Sequence, residues 1–102
     1  MNTFSENLAE LLVKRGLTQI FAVPGGGNMF LLSALDSHPS IQIQYCHHEQ
    51  AAAVAAEAFF KVAGKPAVCL VTSGPGGTNA ITGLAGAYLD STPMLLLAGQ
   101  LK

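Results

Sequence analysis

Ala67-Val68-Cys69-Leu70-Val71-Thr72-Ser73-Gly74-Pro75-Gly76-Gly77-Thr78-Asn79 is apolar as far as Val71 and then breaks into a glycine-rich turn. A strand with no polar alternation must be covered on both sides, as a central strand of a parallel sheet is. The turn that follows, with proline near the start of the next element, suits the beginning of a helix. A helix is expected over 76 to about 89, and Pro93 introduces a further strand over 94–98.

The same unit recurs upstream. Thr3-Phe4-Ser5-Glu6 has the form of a capping box, followed by Leu8, Leu11 and Leu12 at helical spacing and by Gly16 as a stop. Gln19-Ile20-Phe21-Ala22-Val23 reads as a short strand ended by Pro24 and Gly25-Gly26-Gly27. Asn28 is placed to cap a helix over 29 to about 36, which His38-Pro39 closes. Ile41-Gln42-Ile43-Gln44-Tyr45-Cys46 alternates as a half-buried strand. The order is therefore α-β-α-β-α-β-α-β, with strands starting roughly every 23–27 residues, which argues for an α/β doubly wound parallel sheet with helices on both faces. Four strands are predicted, and the last has no helix after it, so the sheet reads as truncated.

Between the second and third strands lies an alanine-rich helix that starts near His48. On a helical wheel Ala53, Ala56 and Phe60 fall within about 40° of Glu49, whereas Gln50, Glu57 and Lys61 cluster roughly 80–120° away and are expected to face solvent. A glutamate in a first helical turn is ordinarily just favourable with the helix dipole. Its place on the apolar stripe leaves a chemical role open as well. Folds of this class bind ligands at the carboxyl ends of their strands, and three segments converge there: 24–27, 46–49 and 72–79.

Composition narrows the function. Half of the residues are hydrophobic, 11% are charged and the net charge is −1, which argues against disorder and against nucleic acid as a partner. No apolar run is long enough for a membrane helix and no secretory signal opens the chain, so a cytoplasmic protein is expected. Cys46 and Cys69 have neither metal-ligand spacing nor a disulfide framework and read as reduced thiols. His38, His47 and His48 lack a third spaced ligand, so structural or surface roles are expected of them and no metal ligand is named. From Pro66 to Leu101 the only charge is Asp90, so part of this region is expected to be covered by another chain or domain. Gly83, Ala85, Gly86 and Ala87 point to close packing, either on the chain's own sheet or at a subunit interface. The turn over 74–79 is weak as a phosphate loop, because it lacks the lysine of a Walker motif and the last glycine of a dinucleotide fingerprint.

Phe21-Ala22-Val23-Pro24-Gly25-Gly26, His48-Glu49-Gln50-Ala51-Ala52, Thr72-Ser73-Gly74-Pro75-Gly76-Gly77-Thr78-Asn79, Tyr88-Leu89-Asp90-Ser91-Thr92-Pro93 and Gly99-Gln100 follow one another in a fixed order. The series resembles the N-terminal, pyrimidine-binding domain of thiamine-diphosphate enzymes, in the acetolactate synthase branch. The resemblance implies that residues 1–102 are part of that domain and that Glu49 is the catalytic acid, hydrogen-bonded to N1′ of the cofactor's aminopyrimidine. It implies that Val23, Gly25 and Gly26 line the pyrimidine pocket and that Pro75 and Asn79 touch its pyrimidine side. The helix over 76–89 would pack against a second subunit of a homo-oligomer.

The implied substrate is a 2-oxo acid such as pyruvate, decarboxylated or joined to a second carbonyl compound with thiamine diphosphate as electron sink. Mg²⁺ would be held by a diphosphate-binding domain absent from residues 1–102, supplied by a second subunit or a separate chain. This chain alone would be inactive. Two other readings stand beside this one: a non-catalytic, partner-binding domain of the same fold, and a small nucleotide- or flavin-binding α/β domain suggested by the turn at 74–79.

Overall fold

The computed structural model describes residues 3–99. Its elements are α1 (Phe4–Lys14), β1 (Gln19–Ala22), a single 3-10 turn (Gly26–Asn28), α2 (Met29–Asp36), β2 (Gln42–Tyr45), α3 (Glu49–Ala63), β3 (Val68–Val71), α4 (Pro75–Leu89) and β4 (Leu95–Ala98). The four strands form one parallel sheet in the order β2-β1-β3-β4. Expected and observed elements agree in order and type. The capping box of α1 forms in full, with Glu6 N–H donating to Thr3 Oγ1 and Thr3 N–H donating to Glu6 Oε1. Gly16 ends the helix at φ 75°, a left-handed conformation that glycine adopts without strain.

Strand order dictates the layers. The chain moves outward from β1 to β2, then back across β1 to β3 and on to β4. Right-handed crossovers in opposite directions land on opposite faces of a sheet. Accordingly Ala9 and Leu12 of α1 and Leu32 and Leu35 of α2 pack on one face with Ile20, Ala22, Val68 and Leu70. On the other face Ala52, Ala53 and Ala56 of α3 and Ala80 of α4 pack with Cys69 and Val71. Alternate residues of β1 and β3 thus feed two cores, which is why β3 carries no polar residue and is buried throughout. Edge strand β2 has one covered face only, and Gln42 and Gln44 sit exposed on it.

The second face is organised by α3 and α4. Each returns from the carboxyl end of a strand, so the two helices are parallel. Alanine at the contact lets them close in until Gly83 meets Ala53: a Cβ on Gly83 would collide with Ala53 Cβ and lie 3.1 Å from Ala53 C and Val54 N. Of the two alternatives for the small residues of α4, Gly83 therefore takes neither the sheet nor a second subunit, but α3. Phe59, two turns down α3, meets Phe21 of β1 edge-to-face with centroids 6.1 Å apart.

Glu57 corrects the wheel analysis. It lies against α4 rather than facing solvent, its side chain 14% exposed and hydrogen-bonded by Lys61, which also reaches Asp90 at 2.7 Å. The wheel could not place it, because a helix packed on both a sheet and a neighbouring helix has two buried sides. Gln50 and Lys61 are exposed as expected.

Two substitutions on α4 should separate packing from propensity. Gly83→Ala should lower stability by about 1–3 kcal/mol, overpacking against backbone outweighing the roughly 1 kcal/mol that alanine gains in a helix. Gly86→Ala meets only Glu57 Oε2 at 3.4 Å, the tip of a flexible side chain, and should keep that gain. Denaturant midpoints of the two variants check this, and a Gly83→Ala protein as stable as its parent would refute the packing argument.

A second test uses the core thiol. Burial, with smaller contributions from Cys46 and Glu49, pushes Cys69 from its ordinary 9.0 to about 12. Above pH 9 the unfolded chain releases this proton and the folded chain keeps it, so the thiol's contribution to stability should fall as pH rises from 9 to about 12. At neutral pH a thiol reagent should label the half-buried Cys46 well before Cys69, a rate difference readable by mass spectrometry.

Candidate functional site

A doubly wound sheet offers a ligand crevice where strand order reverses, at the carboxyl ends of the two strands that diverge. Here those strands are β1 and β3. Each contributes one loop: the glycine turn after β1 and the 72–74 turn after β3.

The loops interlock. Gly27 N–H donates to Thr72 Oγ1 at 2.9 Å across the switch point. Gly25 lies so close that a Cβ there would stand 2.6 Å from Thr72 Cβ, and one on Gly99, after β4, would stand 2.6 Å from the Gly27 carbonyl oxygen. Any side chain at Gly25 or Gly99 would force these strand ends apart. Gly26, by contrast, has no atom within 4 Å of where its Cβ would be, so its exposed backbone is open to an incoming group. Gly74 turns the chain at φ 66° into α4, with Pro75 exposed as the first helical residue.

Asn28 is the residue that sequence reasoning misassigned. It makes no side-chain cap for α2. It is buried instead, with Oδ1 accepting from Gly25 N–H at 3.0 Å and Nδ2 donating to the Val23 carbonyl at 3.1 Å. One amide thus satisfies two backbone groups of the tight turn and fixes the path of Val23-Pro24-Gly25. An asparagine three residues after a glycine was a local signal for such a side-chain-to-backbone turn. Thr72 had no such signal, because its partner lies 45 positions away.

On the second face the amino ends of α3 and α4 point into the same region. His48 caps α3, its Nδ1 accepting from Gln50 N–H at 3.0 Å, while His47 is exposed. Glu49, in the first turn of α3, is partly buried, and its Oε1 accepts a hydrogen bond from Asn79 Nδ2 of α4 at 3.1 Å. Among the described residues Oε2 takes no protein hydrogen bond. The structure therefore joins two of the residues singled out in the sequence, Glu49 and Asn79. Val23 and Gly25 are joined separately, through Asn28, and Val23 packs with the α3–α4 core. Gln100, quoted in the motif series, lies outside the described residues.

Two depressions lie elsewhere. A groove of about 790 Å³ lies between α1 and α2 and is lined by Phe4, Phe30 and Pro39 among others. A depression of about 600 Å³ runs from Pro24 and Gly25 to Asp36 and Tyr45. Neither is lined by Glu49 or Asn79. A further shallow apolar surface on α4, formed by Ile81, Leu84, Ala85 and Tyr88, has Tyr88 82% exposed. Among the described residues no group of three or more His, Cys, Asp or Glu side chains could hold a metal ion, and no helix is long and apolar enough to cross a membrane.

Comparison with known proteins bears on this arrangement. The chain is 44% identical over 93 residues to an acetolactate synthase of Arabidopsis thaliana chloroplasts, an alignment covering 91% of this chain and 14% of the plant protein. It is 45% identical over 96 residues to the acetolactate synthase large subunit of Lactococcus lactis, covering 94% and 17%. The large subunit of a Buchnera aphidicola acetolactate synthase is 44% identical over 96 residues, with the same coverage of 94% and 17%. The chain thus spans only about a sixth of the length of these relatives, all of them enzymes by name. Residues 2–102 match the model of the family described as thiamine pyrophosphate enzyme, N-terminal TPP binding domain, and the chain belongs to that family.

Proposed function

We propose that residues 1–102 are part of the pyrimidine-binding domain of a thiamine-diphosphate-dependent lyase or transferase of the acetolactate synthase type, acting on a 2-oxo acid such as pyruvate. The observation that carries this reading is the partly buried Glu49 carboxylate in the first turn of α3, with Oε1 held by Asn79 and, among the described residues, no protein hydrogen bond to Oε2.

The residues suit the group. An aminopyrimidine ring presents a basic nitrogen, N1′, across the ring from its amino group, and it needs a carboxyl partner at that nitrogen and close-fitting surfaces on its faces. Glu49 Oε2 supplies the first: it holds a proton against ring nitrogen N1′. Val23, Gly25 and Gly26 supply a wall, with Gly26 offering backbone and no side chain, and Pro75 and Asn79 stand on the pyrimidine side. When bound, thiamine diphosphate supplies the electron sink that decarboxylation of a 2-oxo acid requires. Asn28 keeps the Val23 carbonyl and the Gly25 N–H in place while the ring enters.

The diphosphate and Mg²⁺ fall to a domain outside residues 1–102 or to a second subunit, so residues 1–102 by themselves are inactive and the working enzyme is an oligomer. The exposed apolar surface of α4 supports that assembly, since its aromatic and aliphatic side chains are left uncovered.

Glu49→Gln keeps the shape and removes the ionisable proton. In the assembled enzyme with thiamine diphosphate, Mg²⁺ and pyruvate, it should slow turnover and deuterium exchange at C2 of the cofactor by about 10²-fold or more. NMR-detected exchange reads the second quantity, and full rates in the variant would end the assignment. Asn28→Ala strands two backbone groups and should reduce stability by about 1–3 kcal/mol. Hydrogen exchange at the Gly25 amide should quicken in that variant, and an unchanged exchange rate would show that the brace is dispensable.

A further inference from the structure

Glu49 and Asn79 do not meet by chance of rotamer. Glu49, Ala53, Glu57 and Lys61 stand one turn apart along α3. Their neighbours are Asn79, Gly83 and Gly86 on the parallel α4 and Asp90 at its C-cap, at nearly the same interval. Asn79 Nδ2 donates to Glu49 at 3.1 Å, Gly83 abuts Ala53, Gly86 faces Glu57 Oε2, and Asp90 bonds Lys61 at 2.7 Å. The ladder is locked in the middle by backbone contact and at the far end by ions. The position of the Asn79 backbone relative to that of Glu49 is therefore set by the helices and not by the side chains.

The amide's orientation follows from chemistry. A carboxylate only accepts, so Nδ2 must face it, and Oδ1 turned inward would repel it. A partly exposed glutamate rotates among several side-chain conformers, and a donor fixed on a neighbouring helix selects one of them. The bond occupies Oε1, and among the described residues no protein hydrogen bond takes Oε2.

We propose that Asn79 is a positioning residue that acts through Glu49, holding its carboxylate in the conformer that presents Oε2 to the aminopyrimidine. The inference rests on the reading of Glu49 given above and differs from it in one respect: Asn79 contributes to cofactor binding through Glu49 and not by its own contact with the ring.

A double-mutant cycle separates these possibilities. The dissociation constant for thiamine diphosphate, with Mg²⁺ present, is measured by calorimetry on the assembled protein as parent, Asn79→Ala, Glu49→Ala and the double variant. Loss of one hydrogen bond to a charged group at a partly exposed site should weaken binding by about threefold to tenfold in Asn79→Ala. The same change in the Glu49→Ala background should have no effect. Asn79→Asp keeps the shape and packing but turns the donor into an acceptor facing a carboxylate, and it should weaken binding at least as much as alanine does.

Equal losses in both backgrounds would mean that Asn79 touches the cofactor directly, and the positioning role would be wrong. An Asn79→Asp protein that binds as the parent does would reduce Asn79 to space-filling. If Glu49→Ala alone left the affinity unchanged, the reading of Glu49 would fail first and Asn79 with it. Unfolding curves of the cofactor-free variants, expected to lie close to the parent's, distinguish each of these results from a general loss of fold.

Discussion

The contact between Gly83 and Ala53 is the constraint on which the second half of the molecule depends. Helices dressed with large side chains pack some 8–10 Å apart. Here a glycine against an alanine brings backbone close to backbone, and side chains as short as asparagine and glutamate can then bridge the pair one turn above. Glycine weakens a helix by about 1 kcal/mol relative to alanine, so its presence at mid-helix is explained by what it admits. The alanine content of α3 follows from the same geometry, because that helix must fit beside the sheet and α4 at once.

A similar economy of volume governs the strand ends. Gly25 and Gly99 have no room for a Cβ, and Thr72 uses both its methyl and its hydroxyl to join loops that arrive from different strands. The carboxyl end of the sheet is therefore a close-fitted surface and not a loose collection of loops. Asn28 completes it by replacing the water that a turn of this kind would otherwise need for its exposed backbone groups.

Much of the fold was legible in the sequence because it is encoded locally. The apolar β3, the alternating β2, the capping box at Thr3 and the glycine stop at Gly16 each carry their own signal, and the alternation of elements leaves few topologies for a parallel sheet. The partial burial of Glu49 was legible as well, since that residue stood on the apolar stripe of its helix. What was not legible is encoded between distant positions. The Thr72–Gly27 bond, the Glu49–Asn79 bond and the burial of Glu57 against α4 all require knowing which elements become neighbours. Asn28 is the exception: its signal was local, but the adjacent helix offered a simpler role for it as a cap.

The period of the α3–α4 ladder has a consequence for how such a chain can change over evolutionary time. One residue inserted between Glu49 and Ala53, or between Asn79 and Gly83, would turn the outer residue by about 100° and swing the carboxylate or its donor away from the other helix. Substitutions can be absorbed one at a time, but a change of length inside either segment dissolves every rung beyond it. The turn before α3 and the connection after Asp90 carry no such phase. Length variation should therefore be confined to those connections, and the intervals 49–61 and 79–90 should keep their spacing even where their residues diverge.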